Sequence, residues 1–244
     1  MEEKNIISFG AGQNSTAMII QMNNDRIKID DIIYADTGNE EPETYEFLIE
    51  FKQWCKDNNI KFTTVRSHLY PLRDYYFDRK LIPYRYFRSC TDKFKIRPIN
   101  KYVKEEYPKY FINMYMGIAS DEKHREKETS RKNQKMIYPL IEKNIDRKKC
   151  IEIIRNENMT IPVKSGCHFC PFQSKQSWLR QLEVHPKIFE DNIIFEENCK
   201  AFPDGIFFNI PLRKLKEIAK SQTKLDKWLQ KKEIEMEQCV YCHT

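Results

Sequence analysis

Apolar and polar positions along the 244-residue chain follow two rhythms. Short apolar runs bounded by turn-forming residues alternate with longer segments in which apolar residues recur every three or four positions. The short runs read as strands over 5–9, 31–36, 61–66, 111–118 and 137–141, and the periodic segments as helices over 15–22, 42–58, 95–106 and 146–157. An aromatic and basic connection runs to about residue 91, and a charged loop spans 119–135. Strands followed in succession by helices imply right-handed crossovers and a parallel sheet. The fold expected is α/β, a doubly wound, mostly parallel sheet of five strands. From about residue 160 the pattern becomes wholly helical. Trp178, Leu179, Leu182, Ile188 and Phe189 sit at helical spacing, and a last helix is predicted from Pro211 to Glu235 with Leu212, Leu215, Ile218, Ala219, Leu225 and Trp228 as its packing face. The organisation predicted is an α/β domain over 1–159 and a helical, cysteine-containing subdomain over 160–244.

Two strand ends carry chemistry. Ile6 to Phe9 runs into Gly10-Ala11-Gly12-Gln13-Asn14-Ser15-Thr16, a small-residue turn that opens a helix. Gly10 and Gly12 are expected to permit positive φ and close approach of a ligand. Asn14, Ser15 and Thr16 are suited to cap a helix whose free N–H groups and positive dipole end attract an anion of nucleotide size. A Gly-x-x-x-x-Gly-Lys-Ser/Thr loop is absent, and the Gly-x-Gly-x-x-Gly pattern fails at Ser15. The second strand ends in Asp36-Thr37-Gly38-Asn39-Glu40, followed by Pro42 and acidic residues that favour a helix start. Ligands of open α/β sheets collect at the carboxyl ends of strands, so both turns are expected to line one crevice.

Composition narrows the setting. No apolar run approaches the roughly 20 residues of a membrane span, and Met1-Glu2-Glu3-Lys4 has no signal-peptide pattern, so a cytoplasmic protein without a membrane partner is expected. The net charge of +6 is modest. Local density is higher in Leu72 to Arg88, where five basic residues interleave with Tyr75, Tyr76, Phe77, Tyr84, Tyr86 and Phe87. That composition suits a single-strand or nucleotide platform, and equally a lid whose aromatics pack inward. There is no Gly-x-Ser-x-Gly elbow and no His-Glu-x-x-His helix, so serine hydrolase and zincin mechanisms have no support.

Four of the eight cysteines form two Cys-x-x-Cys knuckles, Cys167/Cys170 and Cys239/Cys242. Four thiolates so arranged suit tetrahedral Zn2+ or an iron-sulfur cluster. Cys55 and Cys150 lie on apolar helical faces and read as inert core residues.

Gly10 to Ser15 resembles the Ser-Gly-Gly-x-Asp-Ser pyrophosphate loop of the adenine nucleotide alpha-hydrolase superfamily, with Asn14 where the pattern has aspartate. Asp36-Thr37-Gly38 followed by Pro42-Glu43-Thr44-Tyr45 is similar to a run of the phosphoadenosine phosphosulfate (PAPS) reductase family. So are Cys90 to Pro98 (Cys-x-x-x-x-Lys-x-x-Pro), Gly117 to Glu126 (Gly-x-Arg-x-x-Glu-x-x-x-Arg) and Tyr138-Pro139-Leu140. Gly166-Cys167-His168-Phe169-Cys170-Pro171-Phe172 resembles the cysteine motif of a phage and bacterial PAPS reductase-like branch related to DNA phosphorothioation enzymes. The resemblance covers roughly residues 5–242.

The resemblance implies ATP and Mg2+ bound for adenylation and sulfur transfer. Backbone N–H groups from Gly12 to Ser15 would hold pyrophosphate, Asp36 and Glu40 would place Mg2+ or ribose, and Lys95, Arg97 and Arg125 would neutralise phosphate or sulfate. Within that picture Asp36, Lys95 and Arg125 are the catalytic candidates. Ser8, Gly10, Gly12, Gln13, Asn14, Ser15, Thr16, Asp36, Thr37, Gly38, Glu40 and Gly117 are the nucleotide-binding ones. By likeness to adenylylsulfate reductases, Cys90 joins Cys167 and Cys170 on a metal, with the fourth ligand from Cys239, Cys242 or Cys199. Implied partners are an adenine nucleotide, a nucleic-acid or small-molecule acceptor, and a cysteine desulfurase as sulfur donor. A rival expectation is a reductase that attacks PAPS or adenylylsulfate with Cys239 or Cys242, a tail similar to Glu-Cys-Gly-x-His, and draws electrons from thioredoxin. A third is a nucleotide sensor or nucleic-acid-binding module without catalysis, which Asn14 favours.

Overall fold

The computed structural model describes residues 2–83, 88–129, 131–199 and 210–221. They form two compact units. One comprises the residues up to Pro71 together with Cys90–Cys167, and the other Leu72–Ser89 with the described residues from His168 onward.

The first unit is built on five strands, β1 (Glu3–Phe9), β2 (Asp31–Asp36), β3 (Phe62–Arg66), β4 (Phe111–Met116) and β5 (Gln134–Ile137). All pair in parallel, in the order β3-β2-β1-β4-β5. Successive residues alternate between sheet faces, so Ile6 and Ile7 serve two cores. Ile7, Phe9, Ile32 and Tyr34 pack with helices α1 (Gln13–Asn24), α2 (Pro42–Asp57) and α7 (Arg147–Asn156) through Met18, Ile20, Phe47, Phe51 and Ile154. Ile6, Ile33, Ala35, Ile112 and Met114 face Ile99, Val103 and Tyr107 at α5 (Arg97–Glu106). Helices on both faces make the sheet doubly wound, and because β1 lies between β2 and β4 the chain reverses direction across the sheet at β1/β4.

Several elements differ from expectation. The strand expected over 137–141 is β5, three residues earlier, and Pro139–Glu142 is a short helix, α6. Pro139 has no N–H for a ladder, and its fixed φ suits a first helical position. The helix expected from 95 begins at α4 (Ser89–Thr91) and continues through a π-helical turn, Asp92–Ile96, into α5. There the Arg97 N–H reaches the Asp92 carbonyl, and Pro98 offers no N–H to continue an α-helical ladder. The aromatic connection contains α3 (Leu72–Asp78), and the charged loop contains a 3-10 turn, Ser120–Arg125.

Asp30 ties the base of β2 to β1. Its carboxylate accepts from the Asn5 N–H at 2.9 Å and from Lys4 at 3.3 Å, with Lys28 at 2.9 Å. Burial acts to raise the carboxyl, and these hydrogen bonds outweigh it and hold it below the usual range. A depressed folded value contributes stability above the unfolded pKa of about 3.9. That contribution disappears as pH falls through the folded value. Asp30→Asn is therefore expected to flatten the acid limb of stability. Urea titrations from about pH 6 down to 3 check it, and parallel pH curves for wild type and variant would refute it.

In the second unit, α8 (Lys175–Val184), α9 (Pro186–Asn198) and α10 (Leu212–Ser221) close around Trp178, Leu179, Phe189, Ile193, Leu212 and Leu215. The stripe expected through Leu225 and Trp228 lies outside the described residues. Among the described residues no helix is long and apolar enough to cross a membrane.

Candidate functional site

The loop after β1 makes its own geometry. Neither Gly10 nor Gly12 takes a positive φ, contrary to expectation; Ala11 does, at 53°, with its methyl group buried. Gly12 is extended and caps α1. Its carbonyl accepts from the Thr16 N–H at 3.0 Å, Thr16 Oγ1 at 3.0 Å and Ser15 Oγ at 3.1 Å. Gln13 Nε2 donates to the Pro162 carbonyl at 3.2 Å. The Gln13, Ser15 and Thr16 side chains are thus engaged by the protein, and Thr16 is fully buried. What the first turn of α1 offers a ligand is backbone N–H, the donor set for an anion.

Gly117, one residue beyond β4, fixes that turn from below. A Cβ at Gly117 would lie 2.4 Å from the Ser15 Cα and 2.6 Å from its nitrogen, so only glycine lets β4 end against the α1 backbone. The 3-10 turn that follows brings in Glu122, which is 5 % exposed. Glu122 Oε2 accepts from Asn14 Nδ2 at 2.8 Å, and Oε1 meets Arg125 at 2.7 Å and Arg147 at 3.4 Å. Asn14 is thereby matched to its surroundings, because an aspartate would set two carboxylates against each other. Asn14→Asp is expected to lower the melting temperature in chelator, with the loss recovered on adding Mg2+. Thermal melts in both buffers read this directly, and an unchanged melting temperature in chelator would refute it.

The turn after β2 is held by Asp36. Its Oδ1 accepts from the Gly38 N–H at 2.8 Å and the Tyr45 hydroxyl at 3.1 Å, and Oδ2 from Arg66 Nε at 2.9 Å. Both oxygens are engaged, so Asp36 acts as the brace of this loop. Gly38, at φ +79°, lies under the Tyr70 ring, which a Cβ would approach to 2.6 Å. Glu40, 3 % exposed, presents Oε1 to Thr37 Oγ1 at 3.0 Å and to Lys95 Nζ at 2.9 Å. Its Oε2 is buried with no partner among the described residues, as are Asn14 Oδ1 and the Tyr34 hydroxyl. Burial, reinforced by Glu40, Tyr45, Asp36 and Cys167, pushes the Tyr34 phenol far above its usual range, so it stays protonated. Ser8 sits in β1 between Ile33 and Met116.

The segment from Pro162 to Cys167 lies across both turns. Besides the Gln13–Pro162 contact, the Glu41 N–H donates to the Gly166 carbonyl at 3.2 Å, Cys167 pairs with Glu40 through an isolated β-bridge, and its Sγ lies 3.6 Å from Thr37 Oγ1. In the second unit, Gln181 and Asn192 both donate to the His168 carbonyl at 2.8 Å, fixing the knuckle backbone. Cys90, Cys167 and Cys170 are half-buried and form no disulfide with one another; Cys239 and Cys242 lie outside the described residues. Among the described residues no group of three or more His, Cys, Asp or Glu is gathered to hold a metal. Cys55 and Cys150 are buried, and burial pushes each thiol up to about 12, as inert core residues require. In the aromatic segment, Arg73 stacks over Phe77 and Phe195, Arg79 over Tyr75, and Arg88 over Phe172. These side chains pack within the second unit. Tyr84 to Phe87 lie outside the described residues.

Residues 4–162, the span holding both strand-end turns and Gly117, match the phosphoadenosine phosphosulfate reductase domain model. The chain belongs to that family. A curated relative of the PAPS reductase-like chain, the uncharacterized protein MJ0973 of Methanocaldococcus jannaschii, is 25% identical over 193 residues. The match takes in 75% of this chain and 45% of the relative, so the chain spans less than half of that protein's length. Among solved structures, PAPS reductase from Candida auris in a phosphate complex superposes with a TM-score of 0.46 at 11% identity, over 66% of this chain and 75% of that one. The U34-tRNA thiolase NcsA of Methanococcus maripaludis, with its [4Fe-4S] cluster, superposes with 0.49 at 13% identity, over 91% and 72%.

Of the residues singled out, the structure brings Gly12 to Ser15, Gly117, Glu122 and Arg125 together at the β1/β4 reversal, and Thr37, Gly38, Glu40 and Lys95 at the end of β2; the final arginine of the family stretch falls on Glu126, and Arg125 stands one residue before it. Arg147 and the Pro162–Cys167 crossing were not anticipated. Glu122 was signalled, since it is the acid of the Gly-x-Arg-x-x-Glu stretch; nothing around Arg147 marks it.

Proposed function

We propose that the chain binds an adenine nucleotide with its phosphates on the first turn of α1, and uses ATP to activate an acceptor for sulfur transfer. The observation that carries this reading is the contact of Gly117 with the Ser15 backbone, which sets the first-turn amides at the chain-reversal crevice of a PAPS reductase-family sheet. ATP is favoured over PAPS by two features. Ala119, fully buried, stands where the family stretch has an arginine, so one cationic clamp for a sulfate or second phosphate is missing. Buried carboxylates, Glu40 and Glu122, flank the crevice instead, and acids beside a polyphosphate call for a hard cation. Glu40 Oε2 and Asn14 Oδ1, both without partners among the described residues, are oxygen donors of the kind Mg2+ takes. Bound Mg2+ would supply neutralisation of phosphate charge.

The protein's own share is positioning and electrostatics. First-turn N–H groups hold the pyrophosphate, Arg125 and Lys95 lie on the carboxylates that border it, and Asp36 keeps the β2 turn in shape. An acceptor oxygen attacks the α-phosphate, pyrophosphate leaves, and sulfur then displaces AMP. No step is assigned to a metal on the cysteines.

The test is a paired assay. With ATP, Mg2+, a sulfide donor and candidate acceptors, pyrophosphate and AMP are expected in equal amounts. Sulfite from PAPS or adenylylsulfate with reduced thioredoxin, lost in Cys242→Ser, would replace this reading by the reductase. Tight ATP binding without turnover of any kind would replace it by a nucleotide sensor.

A further inference from the structure

A groove of about 470 Å³ follows the flank of α5, lined by Arg97, Asn100, Lys101, Lys104, Glu105 and Arg131. It lies wholly in the first unit and is separate from the α1 turn. Arg97, Lys101 and Lys104 stand at i, i+4 and i+7, on one helical face. Four residues advance a helix by about 6 Å, the same order as the step between successive phosphates of an extended strand. Arg131, from the segment preceding β5, adds a fourth cation to the lining.

The acids do not cancel this field. Glu105 lies 3.9 Å from Lys101, and Asp92 pairs with Arg97 at 2.7 Å, each in an exposed pair. Exposed pairs are weak and exchange partners readily. Asn100 contributes an amide able to both donate and accept. Among the described residues no apolar or aromatic residue lines the groove, whereas a protein partner of ordinary interface size needs an apolar core.

We propose that this groove binds the phosphate backbone of a nucleic-acid strand. Binding is sequence-tolerant, because cations on phosphates carry it. The helix of a β-α-β crossover runs opposite to its strands, so the Arg97 end of α5 lies at the carboxyl ends of the sheet. The inference does not depend on ATP turnover.

The experiment is fluorescence anisotropy of labelled single-stranded DNA and RNA oligonucleotides of mixed sequence, titrated with the full chain over a range of salt. The expected slope of log affinity against log salt is about −3 for four phosphate contacts. Lys101→Glu with Lys104→Glu is expected to weaken binding at least tenfold and to halve the slope. Melting temperature and ATP affinity should stay at wild-type values, which separates the groove from the nucleotide site. Wild-type affinity in the double variant, no salt dependence, or equal binding of a poly-glutamate peptide would each overturn the proposal.

Discussion

Gly117→Ala is expected to lower the melting temperature by roughly 6–12 °C and to remove nucleotide binding. The added methyl would meet the Ser15 backbone at 2.4 and 2.6 Å, and backbone at the start of a packed helix cannot step aside as a flexible side chain can. Overpacking of that kind costs about 3 kcal/mol, the upper end of its usual range, and for a chain of this size each kcal/mol moves the midpoint by about 2–4 °C. Nucleotide binding is expected to fail for a related reason, since the displaced residues are those whose N–H groups would hold the phosphates in the proposed function. Two further glycines calibrate the effect. Gly12→Ala, whose methyl would meet Ser165 Oγ at 3.1 Å, is expected to be milder, because that side chain can rotate. Gly166→Ala, with nothing within 4 Å, should stay within about 0.5 kcal/mol of wild type. Thermal melts and ATP titrations on the three variants give the ranking, and a Gly117→Ala protein as stable as Gly166→Ala would show that β4 and α1 are not packed as described.

Lys95→Met should cost about 3 kcal/mol, because it strands the Glu40 carboxylate with only the Thr37 hydroxyl on its Oε1. The cost arises mostly from the charge left behind. Adding Glu40→Gln to Lys95→Met is therefore expected to recover most of it, although Glu40→Gln alone also destabilises. Urea titrations of the four proteins give the coupling energy directly. Strict additivity would mean that Lys95 and Glu40 do not act as a pair, and would return Lys95 to the role of a free phosphate ligand.

Much of the sheet was legible because its rules are local. Ile6-Ile7 and Ile32-Ile33 have no polar residue to give either face to water, so a sheet covered on both sides was the only economical reading, and Pro42 with Glu43 marked the start of α2. Errors came where one residue overrides a pattern. Pro139 ended an apolar run that otherwise looked like a strand, and Pro98 turned a predicted helix start into a π-helical turn. The site was partly legible. The two strand-end turns and Gly117 were found from spacing and family resemblance. The resemblance assigned Asp36 to the ligand; only the positions of Gly38, Tyr45 and Arg66 show that both its oxygens are engaged within the protein. Asn14 and Glu122 were each marked by the family motifs, but their pairing across 108 positions leaves no local mark.

The crossing of residues 162–167 over the β1 and β2 turns has a thermodynamic consequence. Hydrogen bonds from Gln13 and Glu41 and the bridge to Glu40 join the Cys167 end of that segment to the same loops that would hold a nucleotide. Any ligation or oxidation of Cys167 that displaces the segment changes nucleotide affinity by some factor, and linkage requires the nucleotide to change the affinity or redox equilibrium of Cys167 by that factor in return. With a nucleotide bound as proposed, the Cys167 segment and the two strand-end turns would form one energetic system, in which the state of either can be read at the other.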